Sequence, residues 1–384
     1  MLPKSKVLIL KFPYQASFGG PERQTLKVFT EMNKRGLDFL LLASCPVLLS
    51  EFRRRGWRAE RWWAGLEPKS LGAQILLAFS WPLILLSLFS AILFLRFYGY
   101  NKIYCLSLTE KIILTPFARL LGYKVIWAEL LSPQENIFSN PCAFLYRAWS
   151  EMAQLVAVSF YVKRELVADG LLADQIEVIY DGVDPEIFKK QQSIFELLAE
   201  KNLYPIEQFR FRLGFIGQLS EIKGIHILLQ ALAKLKSQIP EFYLTIIGEG
   251  RERARLEWLV KELALTDQVK LVGYQEDWLN WLWNFDVVIL PSLIESLGIT
   301  AIEAMAGARP VIVSNVGGLP EAVENNVSGL VVEPNDSDAL AAGIAKLYND
   351  KNLAQQLGLT GREQVQKKFN LRSLADAYWR VFVA

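Results

Sequence analysis

With 384 residues, the chain is too long for one ordinary hydrophobic core, and its length suits two α/β domains. The formal net charge of +2 gives no global positive field, so we expect no nucleic-acid partner. The three cysteines, Cys45, Cys105 and Cys142, have neither paired nor metal-binding spacing, which favours a reducing compartment over a disulfide-bonded secreted fold.

The first half of the chain alternates short apolar runs with helical patterns. Its N-terminal run lacks the apolar segment and cleavage site of a signal peptide, so it is predicted to be the first strand of a domain. The predicted strands are Lys6–Leu10, Asp38–Leu42, Lys102–Leu106, Lys124–Ala128, Gln154–Val158 and Glu177–Tyr180. The predicted helices between them include Pro21–Arg35 and Lys111–Leu121.

Residues 51–95 raise the question of membrane contact. Residues 71–95 contain no charged side chain over 25 positions, a length that can cross a bilayer. Residues 51–63 interleave five arginines with tryptophans, the composition expected at an anionic headgroup layer. A single span would separate the two halves of the chain, so the segment either dips in and returns, lies in the interface or is a buried helix. We favour a monotopic attachment, with Pro82 as a kink or break.

The second half repeats the alternation of strands and helices. The predicted strands are Phe211–Ile216, Tyr243–Ile247, Val269–Leu271, Val287–Leu290, Val311–Ser314 and Leu330–Val332. The predicted helices are Ile225–Ser237, Arg251–Ala264, Gly298–Ala306, Ser337–Tyr348 and the final Leu371–Val383. Such alternation gives parallel sheets with helices on both faces, so the predicted fold class is α/β with two Rossmann-like, doubly wound domains.

Within the stretch Asp286–Glu333, the carboxylates of Glu295 and Glu303 stand eight positions apart. A buried parallel strand is predicted to end before Glu295, and a helix with Gly298 at its entrance is predicted to contain Glu303. Helices after such strands point N–H groups at the crevice beyond the strand ends, where anionic ligands bind. The two carboxylates can accept hydrogen bonds from hydroxyls, and the N–H groups beside them can bind a phosphate. Together they indicate a site for a sugar joined to a nucleoside diphosphate.

The spacing of Glu295 and Glu303 resembles the E-x7-E motif of the retaining GT-B glycosyltransferases of family 4. Four further segments resemble that family's post-motif stretch, phosphate-binding entry, interdomain linker and N-terminal glycine loop. They are SNVGGLPEAVENNVSGLVVEPND (314–336), FIGQLSEIKGIHILLQAL (from Phe215), IYDGVDPEIF (179–188) and FGGPER (18–23). The resemblance covers almost the whole chain and is weakest from Glu51 to Asn140.

The resemblance implies a GT-B architecture, in which two Rossmann-like domains face a central cleft. It implies an acceptor-side N-terminal domain over residues 1–185, a linker over residues 186–208 and a nucleotide-sugar-binding domain over residues 209–370. The last helix, in residues 371–384, is expected to pack back on the N-terminal domain.

The resemblance also implies roles for residues of the second half. We assign Glu303 to the ribose hydroxyls and Glu295 to hydroxyls of the transferred sugar, since carboxylates accept strong hydrogen bonds. Lys223 is expected to neutralise the diphosphate as charge builds on the leaving group. The backbone N–H groups expected to bind phosphate belong to Ser296, Leu297 and Gly298, and the last of these permits close approach of the ligand.

Glycine turns are expected to border the donor as well. Gly19 and Gly20 precede a helix predicted from Pro21, a residue favoured at the first helical position. They are expected to approach the diphosphate from the opposite domain. The further glycines expected beside the nucleotide are Gly248, Gly250 and Gly273.

Two features depart from the family's pattern. Gln218, which we keep among the donor-binding residues, stands where the family has an arginine, so Lys223 acts alone unless a base such as Arg251 substitutes. The sole histidine, His226, lies in a predicted helix, where a structural role is favoured. Many family members carry a histidine beside the sugar in the N-terminal domain. Glu129 stands roughly there, either as a carboxylate that orients or deprotonates an acceptor hydroxyl or as a surface-loop residue.

The sequence therefore predicts a retaining glycosyltransferase with Glu295, Lys223 and Glu129 as catalytic residues. It is expected to need no cofactor beyond its nucleotide-sugar donor and no metal, since no cluster has metal-ligand spacing. The expected acceptor is a lipid-linked or membrane-associated glycan, and the expected location is the cytoplasm, peripheral or monotopic on the membrane's cytoplasmic face.

Two alternatives remain. One is a catalytically degenerate, membrane-attached protein of the same fold that binds sugar nucleotides without turning them over. The other is a Rossmann oxidoreductase, which would need a G-x-G-x-x-G turn after a first strand. The segment Phe215–Gly224 lacks that glycine pattern.

Overall fold

A computed structural model describes residues 5–12, 19–62, 71–133, 137, 140–183 and 210–384. Contacts divide the chain into two units. The N-terminal unit comprises Met1–Asp181 with Arg372–Ala384, and the C-terminal unit comprises Gly182–Leu371. The predicted linker, residues 186–208, lies outside the described residues.

The N-terminal unit contains a parallel sheet of seven strands in the order β3-β2-β1-β4-β5-β6-β7. The apolar residues Val7–Leu10 of the central first strand are fully buried, as expected where helices cover both faces of a sheet. The strands are β1 (Lys6–Lys11), β2 (Asp38–Ala43), β3 (Ala59–Arg61), β4 (Lys102–Cys105), β5 (Lys124–Glu129), β6 (Gln154–Ala157) and β7 (Ile176–Val178).

Helices connect these strands. The final helix, Leu371–Val383, packs on this unit, where the hydroxyls of Tyr378 and Tyr104 lie 3.2 Å apart and the rings of Phe382 and Phe29 stack. The other helices of the unit are Gly20–Lys34, Pro46–Arg54, Leu71–Phe97, Leu108–Leu120, Ala143–Ser150 and Phe160–Ala168.

The C-terminal unit contains a parallel sheet of six strands in the order β10-β9-β8-β11-β12-β13. Its strands are β8 (Phe211–Ile216), β9 (Phe242–Ile247), β10 (Val269–Gly273), β11 (Val287–Leu290), β12 (Val311–Ser314) and β13 (Leu330–Val332). Its helices are Ile225–Leu235, Arg253–Glu262, Trp278–Trp281, Ile299–Ala306, Leu319–Ala322, Ser337–Asn349 and Lys351–Lys368. Both sheets thus have the doubly wound form predicted from the alternation of elements.

Several predicted helix boundaries were wrong, and two of the corrections have a local cause. The helix predicted from Gly298 begins at Ile299, because Gly298 has φ 86°, outside the right-handed helical region. The helix predicted from Lys111 begins at Leu108, because the Glu110 carboxylate accepts the N–H of the cap residue Ser107 at 2.5 Å. The helix predicted from Pro21 begins one residue earlier, and the helix Arg251–Ala264 is shorter, at Arg253–Glu262.

Residues 71–97 form one continuous helix, with Pro82 inside it, so the break allowed at this proline does not occur. The side chains of residues 71–81 and of residues 84 and 85 lie outside the described part of the structure. Within the described part, no helix is long and apolar enough to cross a membrane.

Candidate functional site

The C-terminal sheet has one point where its strand order reverses, between β8 and β11. From β8 the chain continues to β9 on one side, and from β11 it continues to β12 on the other. The loops after these two strands therefore diverge and leave a crevice at the carboxyl ends, which is where doubly wound sheets bind their ligands. These loops are residues 217–224 and 291–298.

Lys223 and Glu295 meet across this crevice. The Lys223 ammonium donates to Oε2 of Glu295 at 2.6 Å, and the Ser292 hydroxyl lies 3.5 Å from the same oxygen. The side chains of Lys223 and Glu295 are 22% and 17% exposed, so the pair is accessible from solvent. The structure therefore brings together two residues, 72 positions apart, that the sequence assigned to one site.

The turn around Lys223 is fixed directly against the loop that carries Glu295. The Leu293 N–H donates to the Ile222 carbonyl at 2.7 Å. Gly224 has φ 63°, and a Cβ there would lie 1.9 Å from the Pro291 carbonyl oxygen. Only glycine permits this approach, so the Lys223–Gly224 sequence both places the cation and closes the turn.

Gly317 and Gly318 fix Glu295 from the other side, a role that the sequence interpretation missed. A Cβ on Gly317 would lie 1.7 Å from the Glu295 carbonyl oxygen, and one on Gly318 would lie 2.3 Å from that of Ser296. The Gly318 N–H donates to the Glu295 carbonyl at 3.1 Å. The glycine pair in SNVGGLPE was the available signal, because two adjacent glycines after a strand mark a close backbone approach.

Ser296, Leu297 and Gly298 connect Glu295 to the helix Ile299–Ala306, and the Leu297 side chain is buried in the core. They lie in the loop before this helix. Glu303 lies inside the helix and is also buried. The phosphate-binding role of the three loop N–H groups and the ribose role of Glu303 stay predictions.

The glycines predicted beside the nucleotide have packing roles. A Cβ on Gly248, which has φ 143°, would lie 1.8 Å from the Gly217 carbonyl oxygen. One on Gly250 would lie 2.1 Å from the Leu219 carbonyl oxygen, and the Gly248 N–H donates to the Gly273 carbonyl at 2.9 Å. These glycines therefore hold the loops after β8, β9 and β10 together, and contact with a nucleotide stays a prediction.

Gln218 lies exposed in the loop between β8 and Lys223. The next residue, Leu219, packs against the turn that carries Arg251. Gly250 touches the Leu219 carbonyl, and the Glu252 N–H donates to that carbonyl at 3.1 Å. Arg251 is also exposed. The fold thus places an arginine-bearing turn against the segment that lacks the family's arginine.

His226 is the second residue of the helix Ile225–Leu235. Burial, and then the positive charge of Arg255, lower the pKa of its imidazole below the usual value. A neutral, half-buried helical imidazole fits the structural role favoured by the sequence.

The N-terminal sheet reverses its strand order between β1 and β4. At this crevice Gly19 precedes the helix Gly20–Lys34, and its N–H donates to Oε2 of Glu22 at 3.1 Å. Oε1 of Glu22 lies 3.4 Å from the Lys11 ammonium, and both side chains are almost fully buried. The predicted glycine loop is thus anchored by a buried ion pair, while residues 13–18 before it lie outside the described residues.

Glu129 is the last residue of β5 and is 3% exposed, so it does not lie in a surface loop. The Lys111 ammonium donates to Oε1 of Glu129 and to the Ala128 carbonyl, each at 2.7 Å. Burial and the negative charge of Glu129 raise the pKa of the Tyr146 hydroxyl well above its usual value. Glu129 is therefore a buried, paired carboxylate, and its catalytic role stays a prediction.

Glu110 is a buried carboxyl that the sequence interpretation missed. It is fully buried at the start of the helix Leu108–Leu120, where one oxygen accepts the N–H groups of Ser107 at 2.5 Å and Leu106 at 3.0 Å. Burial raises the pKa of Glu110 from 4.5 to about 7, against the lowering effect of Lys11. The available signal was the Ser107-x-x-Glu110 capping pattern.

No group of three or more His, Cys, Asp or Glu side chains stands where it could hold a metal ion, as far as the described residues extend.

Residues 201–364 match the family model of glycosyl transferases group 1. A stretch of 243 residues is 31% identical to an uncharacterized glycosyltransferase of Methanocaldococcus jannaschii and covers 62% of each chain. Another of 207 residues is 28% identical to the N-acetyl-alpha-D-glucosaminyl L-malate synthase of Bacillus anthracis and covers 54% of this chain and 53% of that protein. The chain thus spans less than two thirds of the length of these relatives.

Solved structures share the fold over the whole chain. HepE of Anabaena, crystallised with UDP, superposes with a TM-score of 0.82 at 20% identity, over 98% of this chain and 99% of that one. A glycosyltransferase from Rickettsia africae superposes with a TM-score of 0.83 at 22% identity, over 98% of each chain.

The two all-parallel units therefore have the GT-B fold. The segment 201–364, which matches the glycosyl transferases group 1 model, contains the crevice residues of the C-terminal unit. The resemblance drawn from the sequence is confirmed, whereas retention of configuration is not shown by these comparisons.

Proposed function

We propose that the protein transfers a glycosyl group from a nucleoside-diphosphate sugar to an acceptor, with retention of configuration and without an obligatory metal ion. The observation that carries the proposal is the contact between Lys223 and Glu295 at the reversal point of the C-terminal sheet. A cation and a carboxylate side by side at this position suit the two halves of such a donor, its diphosphate and its sugar.

Each residue has a task in this reaction. Lys223 stabilises the negative charge that develops on the leaving diphosphate. Glu295 accepts hydrogen bonds from hydroxyls of the transferred sugar, and Glu303 accepts those of the ribose, in the charge-assisted geometry that carboxylates offer. The leaving phosphate takes the proton of the acceptor hydroxyl.

A donor screen with the full chain, purified in detergent or lipid, tests this proposal. Release of nucleoside diphosphate from UDP-, GDP-, ADP- and dTDP-sugars is measured in EDTA, with and without membrane extract as a source of acceptor. We expect release from one donor and its loss in Glu303→Ala. Release that requires a divalent cation would contradict the metal-independent mechanism, and release that survives in Glu303→Ala would contradict the assigned site.

A second candidate function is sugar-nucleotide binding without turnover, and Gln218 favours it. An uncharged side chain there removes one of the two cations expected at the diphosphate. The turn of Arg251 packs beside Gln218, and we assign Arg251 as the substitute cation. Saturable donor binding with no release under any acceptor condition would favour the binding protein over the enzyme.

The proposed acceptor is lipid-linked or membrane-associated, and the proposed location is the cytoplasmic face of a membrane. The helix Leu71–Phe97 supports this proposal. On one face Leu88 and Ile92 are buried, while on the other the apolar side chains Leu83 and Phe94 are 75% and 59% exposed. Leu86 and Phe97 extend the exposed face, and a contiguous apolar surface of this kind marks an interaction site.

Flotation of the full chain with vesicles of phosphatidylcholine and phosphatidylglycerol tests the membrane proposal. The variant Leu83→Glu with Phe94→Glu changes only exposed positions, so we expect it to fold and to lose vesicle binding. Trp258→Glu with Leu359→Glu, at two exposed apolar residues of the C-terminal unit, adds the same two charges, is the matched control and is expected to bind like the wild type. Equal binding of all three proteins would show that this helix face does not contact lipid.

A further inference from the structure

The two groups assigned to opposite halves of the donor are bonded to each other. The Lys223 ammonium and Oε2 of Glu295 are 2.6 Å apart, a charge-assisted hydrogen bond at full strength. The ammonium has three N–H donors, and a phosphate that takes the one bonded to Glu295 must displace the carboxylate. The free energy of that displacement depends on what else the ligand offers to Glu295.

A nucleoside-diphosphate sugar offers a complete exchange. Its phosphate oxygens replace Glu295 on the ammonium of Lys223, and its sugar hydroxyls replace the ammonium on the carboxylate. A bare nucleoside diphosphate replaces Glu295 on the lysine but has no sugar hydroxyls for the carboxylate. Glu295 then loses its lysine without receiving sugar hydroxyls, and the terminal phosphate, which carries an additional negative charge, lies near an uncompensated carboxylate.

The backbone prevents Glu295 from avoiding this competition by moving away. The Pro291 carbonyl contacts Gly224 on one side of the loop, and Gly317 contacts the Glu295 carbonyl on the other. Neither contact leaves room for even one additional carbon atom. The position of the Glu295 backbone relative to Lys223 is thus fixed, and only its side chain can respond to a ligand.

We propose that the Lys223–Glu295 ion pair makes this site select a nucleoside-diphosphate sugar over the bare nucleoside diphosphate. Glu295 is then a specificity-determining residue that weakens binding of the product nucleotide, in addition to its contacts with the sugar. This inference rests on the proposed function, because it takes the nucleotide sugar as the ligand of the crevice.

The C-terminal unit contains a second ion pair that serves as a matched control. The Lys234 ammonium lies 2.6 Å from a carboxylate oxygen of Asp338, the same distance as in the Lys223–Glu295 pair. Lys234 lies near the far end of the helix that follows Lys223, and Asp338 is 83% exposed. Loss of this carboxylate removes the same charge without touching the crevice.

Calorimetric titration of the full chain with UDP, GDP, ADP and dTDP, and with the matching nucleotide sugars, tests the proposal. The nucleoside diphosphate that binds the wild type is expected to bind Glu295→Gln about tenfold more tightly, a change of about 1.4 kcal/mol. The nucleotide sugar is expected to gain nothing, so the affinity ratio of sugar nucleotide to bare nucleotide falls. Asp338→Asn is expected to match the wild type.

The lysine supplies the decisive second measurement. In a Lys223→Met background, Glu295→Gln is expected to raise nucleoside-diphosphate affinity by clearly less than tenfold, because repulsion between Glu295 and the phosphate is then relieved but no ion pair has to be broken. A tenfold gain in that background would overturn the proposal and reduce it to simple repulsion by Glu295. Glu295→Asp, whose shorter side chain withdraws from Lys223, is expected to shift nucleoside-diphosphate affinity in the same direction as Glu295→Gln. Agreement between the two variants would exclude a folding defect in one of them as the cause.

The remaining outcomes separate this inference from the proposed function. If the wild type binds a nucleoside diphosphate and Glu295→Gln binds it equally or more weakly, the ion pair does not select against product, although the donor site stands. If no nucleotide or nucleotide sugar binds the wild type or Glu295→Gln, the proposed function and this inference fail together.

Discussion

The two sheets have the same strand order, apart from a seventh strand in the N-terminal one. Their ion pairs differ in how far solvent reaches them. At the carboxyl edge of the N-terminal sheet, Lys111 and Glu129 form an ion pair whose side chains are 4% and 3% exposed. At the carboxyl edge of the C-terminal sheet, the side chains of Lys223 and Glu295 are 22% and 17% exposed. The buried pair is part of the fold, whereas the accessible pair can exchange its partners with a ligand.

The largest expected effect comes from breaking the buried pair. Lys111→Met leaves Glu129 as an uncompensated buried carboxylate, so we expect the free energy of unfolding to fall by about 3–5 kcal/mol. Urea denaturation followed by circular dichroism measures the change. A loss below about 1 kcal/mol would show that water reaches Glu129 and that the two ion pairs do not differ in solvent access.

A somewhat smaller effect concerns pH. Burial raises the pKa of Glu110 from 4.5 to about 7, so the native state binds this proton more tightly than the unfolded state. The stabilisation from this group is fully present below pH 4.5 and is lost as the pH rises through 7, by roughly 3 kcal/mol in total.

The variant Glu110→Gln checks this pH dependence. Glutamine keeps an acceptor for the N–H groups of Ser107 and Leu106 but cannot ionise. Relative to the wild type, we expect it to be nearly unchanged in acid and more stable above neutral pH, as measured by urea denaturation across the pH range. Parallel stability curves for the two proteins would contradict the raised pKa of Glu110.

A third prediction concerns the exposed charges of the C-terminal crevice. Arg251→Ala is expected to weaken binding of the nucleoside diphosphate by roughly fivefold and to reduce its salt dependence, because an exposed cation contributes through screened attraction. Calorimetry at two salt concentrations measures both quantities. Arg255→Ala, at an exposed arginine paired with Glu252, is the control and is expected to bind normally. Equal losses in the two variants would remove Arg251 from the site.

The smallest expected effect is on stability at the accessible pair. Lys223→Met is expected to change the free energy of unfolding by less than about 1 kcal/mol, since Glu295 stays in contact with water. The same variant is expected to weaken nucleotide binding. Urea denaturation and calorimetry on one preparation separate the two results, and a stability loss equal to that of Lys111→Met would show that both pairs are structural.

The sequence predicted the C-terminal unit better than the N-terminal one, for physical reasons. The Lys223–Glu295 contact was predictable because each residue follows a strongly apolar strand, and such strands end at a common edge. The clamp by Gly317 and Gly318 was not predicted, because which backbone a glycine approaches depends on tertiary packing. The start of the helix at Ile299 depended on the left-handed Gly298, which periodicity does not reveal.

In the N-terminal unit the alternation of strands and helices predicted the sheet but not the charges within it. A polar side chain in the first turn of a helix is typical of a solvated cap. The residues around Glu110 in the sequence do not indicate that it is fully buried. Likewise, the sequence left open whether Glu129 acts on an acceptor hydroxyl or lies in a surface loop, and it did not indicate that Glu129 is buried. Burial of a charge is a property of the packed unit, and a single sequence does not encode it in a short pattern.

The most direct test of the central claim is a crystal structure of the full chain with the nucleoside diphosphate selected by calorimetry. We predict that the diphosphate contacts the Lys223 ammonium and the N–H groups of residues 296–298, with the ribose hydroxyls on Glu303 and Glu295 turned away from the lysine. A nucleotide bound elsewhere, with the Lys223–Glu295 contact intact, would contradict the assignment of this crevice as the donor site.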